Sequence, residues 1–359
     1  MKTMKKLMLT MTVCTLISSA PNLELNAQDI HFSQFWMTPL LLNPGGTGAF
    51  QGDLRAATGY KDQWRSIANP YQTFFLSSDM HILKNKWDNS YLGVGLTVFN
   101  DVAGEMKMGT TSANLSVAGH VFMGNKNHLS VGLQGGFGQQ RIDGAALTWG
   151  SQYDQSMAGN YNPDASLGET LSRENFTYGD FSTGILWNYG SSKNEVNQSK
   201  GIKFQAGVAL HHVGQPAYSF YDLPDESLNM KIIAHANSSF STSNSNLNIE
   251  PSIIHVQQGV LSETLFGTML RYQIKENSKY TGLSKGAAFS FGGHYRLQDA
   301  FIATVMLEYT NIAVGVSYDF NISALKTVSS GRGGVEFTLR FINPNPFQRS
   351  GSMQGPLFM

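Results

Sequence analysis

The glycine-rich run at residues 132–138 is the first candidate for chemistry in this sequence. In a phosphate-binding loop, backbone N–H groups hold an anion at the start of a helix. Here the run lies within a stretch that alternates apolar with small or polar residues, and no helical pattern follows it. We therefore predict that the run belongs to a β-strand and is not a nucleotide site.

Histidines and acidic residues show no recognisable catalytic or metal-binding pattern either. The nine histidines include no HExxH spacing. His211 and His212 are adjacent at the end of a strand pattern, where neighbouring side chains face opposite sides, so they are poor joint ligands. No Ser-His-Asp or paired-carboxylate spacing can be argued. We predict that the protein is not an enzyme, holds no metal and no cofactor, and uses histidines to line a lumen or its rim.

Five charged residues near the carboxyl end are more informative, because they stand on the polar faces of four successive strand patterns. Their simplest role is a network of salt bridges that keeps a barrel lumen closed, and a binding role is the weaker alternative. The five residues are Arg296, Glu308, Asp319, Glu336 and Arg340.

Alternation of apolar and polar residues is the main signal in the elements that carry these side chains. Within residues 312–321, Val316 lies on the apolar face and Ser317 on the polar face. If the apolar face meets lipid, Val316→Arg should cost about 2–4 kcal/mol and Ser317→Arg much less. Fourteen strands are predicted, and the range that contains Pro251 is the weakest of them. The ranges are 54–60, 71–80, 91–100, 109–121, 128–142, 178–189, 201–211, 230–240, 247–257, 264–272, 286–297, 299–309, 312–321 and 334–342.

Composition excludes several classes of protein. Only 14% of the 359 residues are charged, and 25 Lys and Arg balance 25 Asp and Glu, so bulk charge attracts neither nucleic acid nor an anionic membrane surface. The 37 glycines argue against a coiled coil or a helical membrane bundle. A soluble sandwich or secreted adhesin domain would have a large apolar inward face. The second face here is small and polar, which favours an antiparallel outer-membrane β-barrel, with strand-end aromatics such as Tyr91 and Trp187 at the membrane interfaces.

The amino terminus has the pattern of an export signal. Basic residues in 1–6 precede an apolar run at 7–17, and we predict cleavage after Ala27. An uncleaved signal anchor is the alternative, although the apolar run is short for a membrane span. Cleavage would remove Cys14, the single cysteine, so the mature chain would have no disulfide. We therefore expect an exported protein of the cell outer membrane.

The domain organisation follows from these patterns. Residues 28–53 are predicted to be an extended segment that plugs the lumen or lies across its periplasmic mouth, with His31, Phe32, Phe35 and Trp36 as its contact residues. Residues 54–342 form the barrel and 343–359 a periplasmic tail. The two longest gaps, at 143–177 and 212–229, follow odd-numbered strands and are therefore predicted to lie outside the cell. The first of them carries the candidate partner-binding residues Trp149, Tyr153 and Tyr161, because aromatic side chains dominate binding hot spots.

Several segments, in order along nearly the whole mature chain, resemble the PorP/SprF family of the Bacteroidota type IX secretion system. The departure from this pattern is Trp36-Met37-Thr38-Pro39, where a Tyr or Phe and small polar residues are expected. The matching segments are QDIHFSQFWMTPLLLNPGGTG at 28–48, GYKDQWRSI at 59–67, VFNDVAGEMKMGTTSANLSVAGH at 98–120, LSVGLQGGFGQQRID at 129–143, LTWGSQYD at 147–154, KYTGL at 279–283, and SYDFNISALK followed by GRGGVEF within 317–337.

The resemblance implies a non-catalytic outer-membrane barrel that assists export of proteins bearing a C-terminal signal domain. The implied partners are other type IX components, or a cargo such as a large gliding adhesin that is held at the cell surface. A channel or transporter for small or hydrophobic molecules remains the alternative with the same fold.

Overall fold

The protein is described by a computed structural model that covers residues 29–343 apart from short gaps. Within these residues the chain forms fourteen antiparallel strands, each paired with its sequence neighbours. β1 pairs with β14 and closes the barrel. Among the described residues, no helix has the length and apolar character needed to span a bilayer. The gaps are residues 68, 84–85, 88, 105, 125, 145–149, 158–161, 163, 166–171, 191–201, 224–225, 242–245 and 276–285.

The predicted strand count and the closed barrel are confirmed, and every predicted range overlaps one observed strand. The strands are β1 Leu54–Gln63, β2 Tyr71–Ile82, β3 Ser90–Ala103, β4 Met108–Met123, β5 Asn127–Arg141, β6 Asn175–Tyr189, β7 Ile202–His211, β8 Lys231–Ser241, β9 Leu247–Gln258, β10 Leu261–Lys275, β11 Ala287–Arg296, β12 Ala300–Tyr309, β13 Ile312–Asn321 and β14 Arg332–Asn343.

Pro251 is accommodated inside β9 by a local break in the sheet. It pairs with Thr268 of β10, whereas the β8–β9 register is interrupted across Glu250 and Pro251. Because proline has no backbone N–H to donate, it is tolerated where one ladder is interrupted. The weakest predicted strand is therefore a real strand.

Burial alternates along the strands as a membrane barrel requires. In β13, Val314 and Val316 are exposed on the outside, whereas Ala313 and Ser317 are buried inside. A band of exposed Leu, Val, Ile and Phe surrounds the barrel, which is the surface that lipid would cover. Polar side chains therefore point inward.

The two ends of the barrel differ. One end, here the long-loop mouth, carries the loops that follow odd-numbered strands, including residues 142–174 and 212–230. Helix α2, Leu325–Ser329, lies in the β13–β14 loop at this end. The other end, the chain-end mouth, is where β1 begins and β14 finishes. The two longest connections lie at the same mouth, as the strand count predicted.

Residues 29–53, here called the inner segment, run through the interior of the barrel. Asp29 lies near the long-loop mouth, where its N–H donates to Gln258 Oε1, and Asp53 N–H donates to Asn343 O at the chain-end mouth. The segment is not extended throughout. It contains 3-10 turns at Phe35–Met37 and Pro44–Gly46 and the short helix α1, Pro39–Leu42. Local hydrogen bonds satisfy part of its backbone where no sheet partner is available.

Candidate functional site

Arg296 organises an ionic cluster near the long-loop mouth. Its guanidinium lies 3.1 Å from Asp319 Oδ2 and 3.0 Å from Asp299 Oδ2, and its Nε lies 3.4 Å from Glu263 Oε1. It also donates to the hydroxyl of Ser33 in the inner segment. A guanidinium that is only 3% exposed needs several acceptors to offset its lost hydration.

Glu336 holds the backbone of the inner segment directly. Its two carboxylate oxygens accept the N–H groups of Ser33 and Gln34 at 2.8 and 3.0 Å. The Gln34 side chain continues the contact, since its Oε1 accepts from Thr338 and its amide donates to Ser317 Oγ. Charge-assisted hydrogen bonds to backbone N–H groups are among the stronger ones in a protein interior. This end of the segment is therefore fixed to β13 and β14.

Asp29 ties the start of the inner segment to the opposite wall. Its Oδ2 lies 3.0 Å from Lys231 Nζ and 3.2 Å from His212 Nε2. The other ring nitrogen of His212 lies 3.0 Å from Asp180. Burial opposes a charge on His212, but the two carboxylates outweigh it and raise its pKa to about 9. Burial alone would raise the pKa of Asp29, yet Lys231 and His212 hold it well below its ordinary range.

His211 and His212 depart from the predicted geometry. β7 ends at His211, and His212 adopts a left-handed backbone with φ of 56°. Because the strand no longer continues there, both side chains are buried on the interior side. His211 lies near Ser182, whereas His212 faces the two aspartates. Within the described part of the chain, no three His, Cys, Asp or Glu side chains are grouped so as to hold a metal ion.

The four aromatic residues singled out in residues 28–53 all contact the barrel wall. Phe32 meets Phe75 edge to face at 4.9 Å, and Trp36 stacks on His294 at 4.8 Å. Phe35 is 3% exposed and packs in a cluster with residues of β7–β10 and β12. The His31 carbonyl accepts from Lys61. The ring nitrogen Nδ1 of His31 lies 3.8 Å from Glu263 Oε2 at the start of β10.

Glycines in the barrel wall allow the backbone in the middle of the inner segment to lie directly against the strands. A Cβ on Gly132 would lie 2.2 Å from the carbonyl carbon and oxygen of Pro44, and one on Gly93 would lie 2.2 Å from Thr47 O. Since these neighbours are backbone atoms, no side chain could move aside to make room. The glycine-rich run is part of β5, as predicted, and Gly132 is where the wall and the segment touch.

Asn43 and Ser130 add polar contacts at the same height. The Asn43 amide donates to Ile185 O at 3.1 Å, and its Oδ1 accepts from the Gly45 N–H. Ser130 Oγ donates to Gly45 O at 2.7 Å. The two bonds to Gly45 satisfy backbone groups of the inner segment that have no partner within a strand.

A buried ion pair fixes the last part of the inner segment near the chain-end mouth. Arg55 donates from Nε and Nη2 to the two oxygens of Asp79, at 2.9 and 2.7 Å, and also to Gly46 O. Asp79 in turn accepts the Gly48 N–H at 2.7 Å. Both side chains are almost completely buried, so removing either would leave an uncompensated charge.

Tyr91 is not part of an interface girdle, contrary to the prediction. It is completely buried inside the barrel, stacks on His120 at 4.3 Å and donates to Gly48 O. The alternation in β3 places Tyr91 on the inward face. Trp187, on the outward face of β6, is 37% exposed.

The five charged residues predicted as one network occupy two heights in the barrel. Arg296, Asp319 and Glu336 lie near the long-loop mouth and hold the inner segment. Glu308 lies near the chain-end mouth and accepts a two-point pair from Arg271, with distances of 3.0 and 2.7 Å. Arg340 lies on the same inner surface, one strand away from Glu308 on the other side of β13.

Sequence reasoning did not single out several residues of the site. Arg55, Asp79 and Arg271 occupy inward positions of alternating strands, and that pattern could have identified them as lumen residues. Asn43 carries no periodic signal, because its role depends on the path of the inner segment. Of the loop aromatics, Tyr153 is 63% exposed, and Trp149 and Tyr161 lie outside the described residues.

Three solved structures align with most of this chain at low sequence identity. The CymD monoaromatic hydrocarbon channel aligns with a TM-score of 0.44 at 12% identity, over 87% of this chain and 94% of that chain. Omp33 from Acinetobacter baumannii aligns with a TM-score of 0.38 at 7% identity, over 82% of this chain and 99% of that chain. A FadL homologue from Pseudomonas aeruginosa aligns with a TM-score of 0.40 at 11% identity, over 83% of this chain and 91% of that chain.

Sequence comparison is more specific than fold comparison for this chain. No curated protein matches it significantly. The model of one family, described as the type IX secretion system membrane protein PorP/SprF, matches residues 24–341. That span covers the inner segment and nearly all of the barrel, and the chain therefore belongs to the PorP/SprF family of type IX secretion system membrane proteins.

Proposed function

We propose that this outer-membrane barrel is a closed, non-catalytic scaffold that assists secretion or surface anchoring of a cargo bearing a C-terminal signal domain, such as a large gliding adhesin. The observation that carries the proposal is the inner segment, which contacts the wall from Asp29 at one mouth to Asp53 at the other. A lumen filled in this way favours a protein that works through its rim and loops.

The strength of these contacts supports a permanent plug. The segment is held by three separate charged groupings, centred on Lys231, Arg296 and Arg55. Its apolar residues bury themselves against the wall at the same time, and each buried large side chain contributes about 1.5–3 kcal/mol. Opening the lumen would require all of these contacts to break together.

Loops at the long-loop mouth are the proposed partner surface, and this mouth is proposed to face outward from a cell of the Bacteroidota. Loops held on a rigid barrel are favourable places for recognition. Tyr153, with Trp149 and Tyr161 in the same loop, offers aromatic side chains that lose few rotamers on binding. Export by a signal peptide cleaved after Ala27 is part of the same proposal.

Deleting residues 153–172 tests the scaffold role in cells. The barrel should remain folded and heat-modifiable on gels, because the deletion removes no strand. The cargo should be lost from the cell surface and appear in the medium. Gly214→Ala in the other long loop is the control, since its added Cβ meets open space and should leave the cargo in place. Full retention of surface cargo by the deletion strain, at normal barrel levels, would contradict the anchoring role of this loop.

A channel or transporter for small or hydrophobic molecules is the alternative. A cavity of about 80 Å³ between the inner segment and the wall, lined in part by Phe99, Gln134 and His211, is the feature that favours it. This space is large enough for a few waters. Purified protein with steady open currents in a planar bilayer would support the alternative.

A further inference from the structure

The cavity between the inner segment and the wall is the largest space that the plug leaves in the described part of the barrel. Its volume is about 80 Å³. Asp29 and His212, which lie near the long-loop mouth, are among its lining residues, together with Asn114 of β4 and Gln134 of β5. An engineered apolar cavity of about 150 Å³ binds benzene. A space about half as large therefore suits a molecule of a few non-hydrogen atoms.

Gln134 brings a side-chain amide without a partner to this cavity. The residue is 8% exposed, and its Nε2 is buried with no hydrogen-bond partner among the described residues. Its neighbours across the sheet are engaged elsewhere. Ser116 accepts from the Thr47 hydroxyl at 2.9 Å, and Ser182 Oγ lies 3.1 Å from His211 Nδ1. Because a buried amide that makes no hydrogen bond is costly, such a group in a native protein calls for a partner.

Asn114 and Ser112 extend the polar lining onto the neighbouring strand. The Asn114 amide donates to Ser112 Oγ at 2.9 Å, and both residues line the cavity. Gly136, which pairs with Asn114 across the sheet, makes room for that side chain, since an added Cβ would lie 2.3 Å from Asn114 Oδ1. The wall formed by β4 and β5 thus presents neutral amide and hydroxyl groups.

The inner segment supplies apolar side chains to the same cavity. Phe35 and Leu42 belong to one buried apolar cluster, and Phe32 packs in another with Phe99 of β3. All four residues line the cavity. Binding sites for small molecules typically combine such an apolar surface with a few polar groups that fix the orientation of the ligand.

The charged groups around the cavity are already paired. Each of the three carboxylates that line it lies within 3.4 Å of a basic side chain, and Lys231, which also lines the cavity, is one of these partners. The three carboxylates are those of Asp29, Asp180 and Glu263. An ion that entered would lose its hydration without gaining a counter-ion, so the lining favours a neutral ligand.

We propose that this cavity binds a small neutral organic molecule whose short apolar body carries one carboxamide or hydroxyl group. Either group can both donate and accept, which matches the side-chain amide of Gln134, whose Nε2 donates and whose Oε1 accepts. The apolar body would contact Phe35 and Phe99. The molecule fills a gap beside the plug and needs no open path through the barrel, so the site does not depend on the scaffold role proposed above.

Thermal unfolding of the purified full chain in non-ionic detergent tests the site. Propionamide and 1-propanol are the neutral probes, and propionate and propylammonium are charged probes of similar size. Wild type should show a saturable rise in Tm with at least one neutral probe, because a ligand that binds only the folded state stabilises it. The charged probes should give no saturable rise.

Gln134→Leu is the test variant, and Gln140→Leu is its matched control. Gln140 lies on the same inward face of β5, but it accepts from the Thr110 hydroxyl and does not line the cavity. Gln134→Leu should weaken binding of the neutral probe by about fivefold or more, because the polar group of the probe would be left without its partner. Gln140→Leu should bind the probe as wild type does.

Three results would overturn the proposal. The first is the absence of a saturable rise in wild type with both neutral probes, which would leave water as the occupant of the cavity. The second is equal binding of the neutral probe by wild type and Gln134→Leu. The third is an equal rise in Tm with a charged probe.

Stability without any added probe gives an independent test. Gln134→Leu removes a buried N–H group that has no partner and should not lower Tm, whereas Gln140→Leu removes the acceptor of the Thr110 hydroxyl and should lower it. An equal loss of Tm in the two variants would mean that the Gln134 amide already has a structural partner, which contradicts the proposal.

Discussion

Gly132→Ala should loosen the inner segment without disturbing the barrel. The new Cβ would lie 2.2 Å from Pro44 backbone atoms, and an ordinary contact needs at least 3.4 Å, so the segment must move by about 1.2 Å. Overpacking of this kind costs about 1–3 kcal/mol. The displacement would also lengthen the 2.7 Å bond from Ser130 Oγ to Gly45 O.

Amide hydrogen exchange measures this loosening locally. A cost of about 1–3 kcal/mol corresponds to roughly five- to 150-fold faster exchange at the Gly45 and Gly46 N–H groups. Gly119→Ala in β4 is the matched control, because its Cβ meets only Leu92 at 3.9 Å. Unchanged exchange in Gly132→Ala, or an equal increase in the control, would refute the close contact between wall and segment.

Three further predictions concern the barrel and its mouths. Val316→Arg should lower the yield of heat-modifiable barrel by placing a charge in lipid at a cost of about 2–4 kcal/mol, whereas Val316→Leu should assemble normally. The single cysteine lies in the predicted signal peptide, so an introduced cysteine can be labelled selectively with an impermeant maleimide. Gly214→Cys should be labelled on intact cells and Lys126→Cys only after permeabilisation. Labelling of Lys126→Cys on intact cells would contradict the proposal that the long-loop mouth faces outward. The contact between Asp29 and His212 should stabilise the segment fully between about pH 4 and 6.5, weaken as pH rises through the His212 pKa of about 9, and weaken again as pH falls through the depressed pKa of Asp29. Hydrogen exchange of the backbone N–H groups of residues 29–34, measured as a function of pH, reports the stability of this part of the segment. A His212→Ala variant that kept the alkaline transition would contradict the role of His212.

Alternation along the sequence predicted the barrel well because each strand has one lipid face and one lumen face. The alternation also predicted β9, in which Pro251 is tolerated because the pairing between β8 and β9 is interrupted there. The alternation also placed Ser317 inside the barrel, but it did not predict the contact of Ser317 with Gln34. Because of that contact, we now expect Ser317→Arg to displace the inner segment and to lower the stability of the protein as well.

Height along the barrel and the path of the inner segment were harder to predict. The five charged residues were assigned to one network, although Arg296 is the last residue of an odd-numbered strand and Glu308 is the penultimate residue of an even-numbered one. Strands of opposite direction place these two side chains at opposite mouths. Strand direction could have separated them. The inner segment has no period, so its contacts with Gly132 and Asp79 depend on tertiary packing that local patterns do not contain.

Single-channel conductance tests the central claim, a closed lumen, most directly. Wild-type protein in a planar bilayer should show no steady open current, and a variant lacking residues 30–50 that remains heat-modifiable should show one. A variant lacking residues 153–172 is the control and should stay closed, since this deletion leaves residues 29–53 in place. Steady wild-type currents equal to those of the 30–50 deletion would contradict the closed scaffold and favour a transport function.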